Sequence, residues 1–308
     1  MRILLAVSGG IDSMYMAERA LSDGVLFASW AKADDLEFAV ANCNFHLRDD
    51  ESDGDSAFVH DWCTERQVEL FVKDFDTLAY AKEHGVSVEM AARELRYGWF
   101  ASLCKDESFD AVAVAHNADD NAETLILNLL RGCGTNGLRG MSRDSGEFPS
   151  RILRPLLETS RKEISDWMRQ EKKCWREDSS NRETVFKRNK LRHLVLPVFA
   201  EINPSYLKTL SADMQRVAQV DDIARDYYAR AAAVCLLEDG IDLKKLRTFK
   251  HWEYLIYRFT QGRLNADGLF RLQEAIRSGR ELGGKRFGPY KVLKSKLLLV
   301  EKSDKQEL

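Results

Sequence analysis

The chain has 308 residues, of which 44% are hydrophobic and 31% charged, with a formal net charge of −3, a length that suggests about two domains of ordinary size. Its apolar runs are short, as at residues 125–127 and 297–300, which excludes a membrane-spanning helix, and Met1-Arg2 leads straight into a strand-like run, so no secretory leader is expected. The six cysteines (Cys43, Cys63, Cys104, Cys133, Cys174, Cys235) never form C-x-x-C, which disfavours a zinc ribbon or iron–sulfur cluster and suits free thiols in a cytoplasmic setting.

In chain order, apolar runs at 3–7, 38–43, 69–73, 111–115 and 152–153 predict strands, and residues 14–21, 56–66, 88–103 and 121–130 predict helices between them. This alternation predicts an α/β fold with a doubly wound, mainly parallel sheet, whose ligands sit at the carboxyl ends of the strands. From Asn203 the pattern turns helical, with a long stretch over 206–238. Residues 242–247, 252–261 and 267–277 and an alternating tail at 290–300 then predict a smaller helical or α+β domain. The boundaries expected are 1–204 for the first domain, 205–240 for a linker helix and 241–308 for the second.

Charge is divided unevenly along the chain. Residues 1–150 carry 13 basic and 27 acidic side chains, a net −14, and residues 151–308 carry 33 and 22, a net +11. Such polarity points to a polyanionic partner for the back half; the plainer alternative is that solvated faces differ in sign.

The first strand runs into Ser8-Gly9-Gly10-Ile11-Asp12-Ser13 and then a helix. Two glycines allow a tight turn that gathers backbone N–H groups, and a helix N-terminus beside them favours an anion. No lysine accompanies the loop, so it is not a Walker loop. Asp12 beside a phosphate calls for a bridging Mg²⁺; the alternative is an ordinary strand–helix turn with a capping serine. Two glycine-rich segments are decoys. Residues 132–137 match G-x-G-x-x-G but follow a helix-like run, and residues 279–286 lack the Ser/Thr of a P-loop.

Further candidates lie at strand ends and on one helix. His116, Asp119 and Asp120 follow the fourth strand, where acids serve either as helix-dipole partners or to hold Mg²⁺ or an ammonium. Arg93, Arg96 and Tyr97 share a helical face, suited to gripping phosphates or to solvated ion pairs. Asn44-Phe45-His46-Leu47-Arg48 ends the second strand, and the acidic residues 49–55 after it predict a long polar loop. Phe186-Lys187-Arg188-Asn189-Lys190-Leu191-Arg192-His193 interleaves cations with planar groups, as RNA binding requires, although charge clusters are also common on plain solvated faces.

The SGGIDS loop resembles the pyrophosphate loop of the N-type ATP pyrophosphatases. Together with NFHLR, AARELRY, AHNADDNAET, RGCGTNGLRGM, RPLLETSRKEI, WREDSSN and KRNKLR, it resembles the tRNA(Ile)-lysidine synthetase family over residues 2–204. That resemblance implies a PP-loop fold and ATP at Ser8, Gly9, Gly10, Ile11, Asp12 and Ser13. It implies Mg²⁺ at Asp12 and Asp120, and a reacting centre of Asp12, Arg93, Arg96, His116, Asp119 and Asp120. It further implies RNA contacts at His46, Arg48, Lys187, Arg188, Lys190 and Arg192. The partners implied are a tRNA(Ile) with a CAU anticodon and free L-lysine, with no membrane, and a homodimer is compatible. Another tRNA- or metabolite-adenylating PP-loop enzyme, performing thiolation or amidation, is the alternative.

Overall fold

A computed structural model describes residues 1–47, 50–146, 150–177, 187–238, 240–260, 263–279 and 282–300. The first five strands are β1 (Arg2–Ala6), β2 (Glu37–Asn44), β3 (Leu70–Asp74), β4 (Ala111–Ala113) and β5 (Ile152–Leu153). They form a wholly parallel sheet in the order β3-β2-β1-β4-β5. Helices α1 (Ile11–Ser22), α2 (Asp50–Arg66), α3 (Thr77–His84), α4 (Val88–Asp106), α5 (Ala118–Arg131), the short α6 (Thr135–Leu138) and α7 (Arg161–Gln170) connect or follow the strands.

Both faces of this sheet are covered, which is why its central strands read as unbroken apolar runs. Along β1, Ile3 and Leu5 point to a core shared with Met14, Met16 and Ala17 of α1 and Ile164 and Met168 of α7. Leu4 points the other way, to Phe100 and Leu103 of α4. The predicted doubly wound α/β architecture is present.

The local differences have identifiable causes. The acidic segment expected as a loop is helical from Asp50, because carboxylates in a first turn complement the helix dipole. Helix α3 was not predicted; Asp76 caps it by accepting from the Ala79 N–H, and Gly85 ends it at φ +63°. Nor was α7, which starts at a capping box in which Ser160 and Glu163 bond reciprocally. Gly132 closes α5 at φ +75°, so the G-x-G-x-x-G match is a helix end.

Contacts divide the chain within a long helix (Tyr206–Cys235) into a unit Met1–Ala218 and a second starting at Gln219. In the second unit, the short strands β6 (Leu236–Leu237), β7 (Gly240–Asp242), β8 (Arg286–Phe287), β9 (Tyr290–Leu293) and β10 (Lys296–Leu299) form an antiparallel sheet in the order β6-β7-β10-β9-β8. Leu255, Ile256, Leu272 and Ile276 from its helices bury against Tyr290, Val292 and Leu297. The predicted tail at 290–300 is a hairpin, turned at Lys294 with φ +55°. No helix among the described residues is long and apolar enough to cross a membrane.

Candidate active site at the sheet's switch point

From β1 the chain winds outward through β2 and β3, then crosses back to β4 and β5 on the other side. Such a reversal opens a crevice at the carboxyl ends of the two central strands. The glycine loop follows one of those strands and the acidic segment follows the other.

In the loop, Gly9 takes φ +87°, a conformation that side chains rarely adopt. Gly10 is the N-cap of α1 and supplies no side-chain hydrogen bond, so the first N–H groups of the helix receive no partner from its cap. Ser13 is the third residue of α1, three positions past the Gly10 cap, so it does not cap the helix. Its Oγ donates to the Gly10 carbonyl (2.9 Å) and accepts from the Ser8 N–H (3.2 Å), which curls the loop. The Ile11 side chain is buried in the core. From across the chain, the Arg176 N–H donates to the Gly9 carbonyl (2.9 Å), and the Arg176 Nε donates to Asp55 Oδ1 (3.0 Å).

Asp12 stands in the first turn of α1 and pairs through Oδ2 with the Arg161 guanidinium. Its Oδ1 is buried without a hydrogen-bond partner. Burial pushes the Asp12 carboxyl up to about 6; Arg161 opposes that shift and Asp120 adds to it. Among the described residues, no group of three or more His, Cys, Asp or Glu side chains is placed to hold a metal ion. An orphaned carboxylate oxygen beside a second acid nonetheless fits a hard cation whose remaining ligands are phosphate oxygens and water.

Across the crevice, Asn117 and Asp120 form a capping box at the start of α5. Asp119 Oδ2 accepts from the Arg161 N–H (2.8 Å), and the Ala118 N–H donates to the Thr159 carbonyl (3.0 Å), which ties the starts of α5 and α7 together. Arg192 donates to Glu123 Oε1 (2.8 Å) and to Asp120 Oδ1 (3.3 Å). Glu123 has a fully buried side chain, its Oε2 has no partner, and burial raises its carboxyl against the pull of Arg192.

His116 is held neutral. Burial pushes its imidazole down to about 4, Asp120 opposing and Arg154 reinforcing. The Arg154 Nε donates to its Nδ1 (3.3 Å), so the ring proton sits on Nε2 and the group is a hydrogen-bond donor at neutral pH. Arg93 belongs with this cluster: its charge acts on both His116 and Arg154, and its guanidinium lies 4.9 Å from the Tyr97 ring centroid. Arg96 diverges to the end of β2, 5.1 Å over the Phe45 ring.

The RNA-binding candidates separate. His46, at φ +48°, is engaged by Asp74 (2.9 Å) and Asp53 (3.4 Å). It lines a groove of about 350 Å³ with Phe45 and residues 74–78, past the ends of β2 and β3. Lys190 is exposed, and Arg188 is exposed and donates to Thr124 Oγ1 (3.4 Å). Arg192, expected at a phosphate, is turned inward onto Asp120 and Glu123. Arg48 lies outside the described residues, as does the side chain of Lys187, whose backbone is helical (Lys187–Lys190).

Five site residues were not singled out from sequence: Asn117, Glu123, Arg154, Arg161 and Arg176. All fall inside motifs that were recognised, but no spacing rule links Arg161 to Asp12 across 149 positions.

A family model described as the PP-loop domain matches residues 1–199. A tRNA(Ile)-lysidine synthase of Porphyromonas gingivalis is 46% identical over 210 residues, covering 68% of this chain and 43% of that protein. The protein of the same name from Chlorobaculum tepidum is 40% identical, covering 70% and 61%. That of Parabacteroides distasonis is 35% identical, covering 87% and 59%. The chain thus spans about half the length of the curated relatives it matches. Among solved structures, the U34-tRNA thiolase NcsA from Methanococcus maripaludis superposes with a TM-score of 0.57 at 16% identity, covering 71% of this chain and 73% of that one, a likeness of fold.

Proposed function

The chain belongs to the PP-loop family, and from that premise we propose that it joins lysine to C2 of the wobble cytidine of a tRNA(Ile) with a CAU anticodon. The reaction consumes ATP through an adenylated cytidine and gives lysidine, AMP and diphosphate. The observation that carries this reading is the meeting, at one switch point, of an N–H-rich glycine loop, the Asp12–Asp120 acid pair and the Arg93–Arg154–His116 cluster. The names of the similar relatives supply the substrate class.

In the first step, the cytidine O2 attacks the α-phosphorus of ATP and diphosphate leaves. The N–H groups of the Gly9–Ser13 turn would bind the departing diphosphate, whose charge grows as the bond breaks. Arg93 and Arg154 would hold the α-phosphoryl oxygens, and neutral His116 would donate through Nε2 to an oxygen there. Asp12 and Asp120 would hold Mg²⁺, which supplies neutralisation of phosphate charge when bound.

In the second step, the lysine ε-amine attacks C2 and AMP departs. The ammonium must first lose a proton. Asp119 and Asp120, both partly exposed at the crevice, would orient it, and a carboxylate there is suited to accept the proton. The exposed cations Arg188 and Lys190 would meet the tRNA backbone. The thiolation alternative gains nothing from Cys43, near the end of β2: burial pushes its thiol up to about 12, far from a nucleophilic thiolate.

The test is incubation with labelled lysine, Mg-ATP and a tRNA(Ile) transcript bearing CAU. Label in the RNA that requires ATP supports the reading. ATP cleavage that leaves lysine free contradicts it.

A further inference from the structure

The glycine loop carries no lysine of its own, and the cation nearest its acid comes from the start of another helix. Arg161 opens α7 directly after the Ser160 cap, and its own N–H is fixed on Asp119 Oδ2 (2.8 Å). Its backbone is therefore anchored, while its side chain is 41% exposed and reaches Asp12, which is 20% exposed. A guanidinium with a fixed root and a solvated head can change partners without moving the helix. Beyond that pair, Asp12 Oδ1 is buried without a well-formed hydrogen bond, with the Asn117 side chain also acting on the carboxyl, so a cation arriving there would add a partner. Around the crevice, Arg161 and Arg192 are committed to Asp12, Asp120 and Glu123. A bare dication entering there would face the Arg161 charge at close range, whereas a dication carried on phosphates brings acceptors to which Arg161 can transfer.

We propose that Arg161 is a built-in counter-ion of Asp12 that yields to a divalent cation only when nucleotide phosphates arrive to accept its guanidinium. The site then takes metal and nucleotide together and binds free metal poorly. In the loaded state Arg161 supplies the phosphate-binding cation that the loop itself lacks. The inference rests on the reading of Asp12 as a metal ligand.

Direct Mn²⁺ binding, followed by electron paramagnetic resonance on the nucleotide-free protein, tests it. Arg161→Gln and Arg161→Met are each expected to bind free Mn²⁺ about tenfold more tightly than the parent, since a charge next to the ligand has been removed. The same variants are expected to bind a non-hydrolysable Mn-nucleotide more weakly than the parent. Arg161→Lys, which keeps the charge, should stay within about twofold for free Mn²⁺. Variants that fold, as judged by circular dichroism, yet bind free Mn²⁺ no more tightly than the parent overturn the counter-ion role. Asp12→Asn separates the two ideas: if it binds Mn-nucleotide as well as the parent does, the metal-ligand reading itself fails.

Discussion

Single residues set the geometry of the phosphate loop, and Gly9 is the clearest case. A Cβ there would find ordinary contacts, the nearest being the Asp55 carbonyl oxygen at 3.5 Å, so the cost of Gly9→Ala is conformational. At φ +87° that cost is about 1–2 kcal/mol, and we expect a matching loss in denaturant unfolding together with weakened nucleotide binding. His116 makes a different prediction. Its imidazole sits at about 4 in the folded chain against an ordinary 6.5, so between those values the unfolded chain takes up a proton that the folded chain refuses. Its neutral burial therefore stabilises fully above about 6.5, and that contribution is lost as pH falls towards 4. Asp12 acts in the opposite sense, because its raised carboxyl favours the folded state on the acid side. Melting temperatures at pH 7 and pH 5 should fall less for His116→Asn than for the parent; an equal fall would remove His116 from the acid response.

Helix starts, more than strands, position the reacting groups. The Asn117–Asp120 capping box fixes the first turn of α5, and Asp119 and Thr159 tie that turn to α7. Asn117 is buried at 1% exposure, so Asn117→Ala is expected to cost about 1–2 kcal/mol, and activity should fall further than stability because Asp120 loses its fixed orientation. Activity that stays intact with stability lowered would confine the capping box to a structural role. Much of this element level was legible beforehand. The five parallel strands and the helices α1, α4 and α5 follow from apolar periodicity, and the loop and acidic segment meet because α/β sheets bind at their switch points. What stayed hidden has physical causes. The first turn of α2 carries so many carboxylates that it reads as a loop, and α3 and α7 are short helices defined by caps rather than by long apolar stripes. Arg192 looked like part of a surface cation cluster, and only tertiary pairing with Glu123 turns it inward. Arg161 and Arg154 lie in a recognised motif, but only tertiary pairing with Asp12 and His116 shows that they reach the site.

At the scale of the whole molecule, the acidic front half and basic back half have a joint rationale in the proposed reaction. Acids in the crevice suit a cationic amino acid and a metal, while cations after residue 150 suit an RNA backbone. The exposed pair Arg188 and Lys190 is where that rationale is most open to test. Replacing both with Ala should weaken tRNA binding and lower the slope of log affinity against log salt by roughly two. An unchanged slope would place the RNA backbone elsewhere.

The central claim is that ATP is spent on adenylating the tRNA base before lysine arrives. Its most direct test is to incubate the protein with α-labelled ATP, Mg²⁺ and tRNA(Ile) bearing CAU while withholding lysine, then to add lysine. Label is expected on the RNA in the first stage and as released AMP in the second. Diphosphate formed without label on the RNA, or label that lysine does not displace, would contradict it.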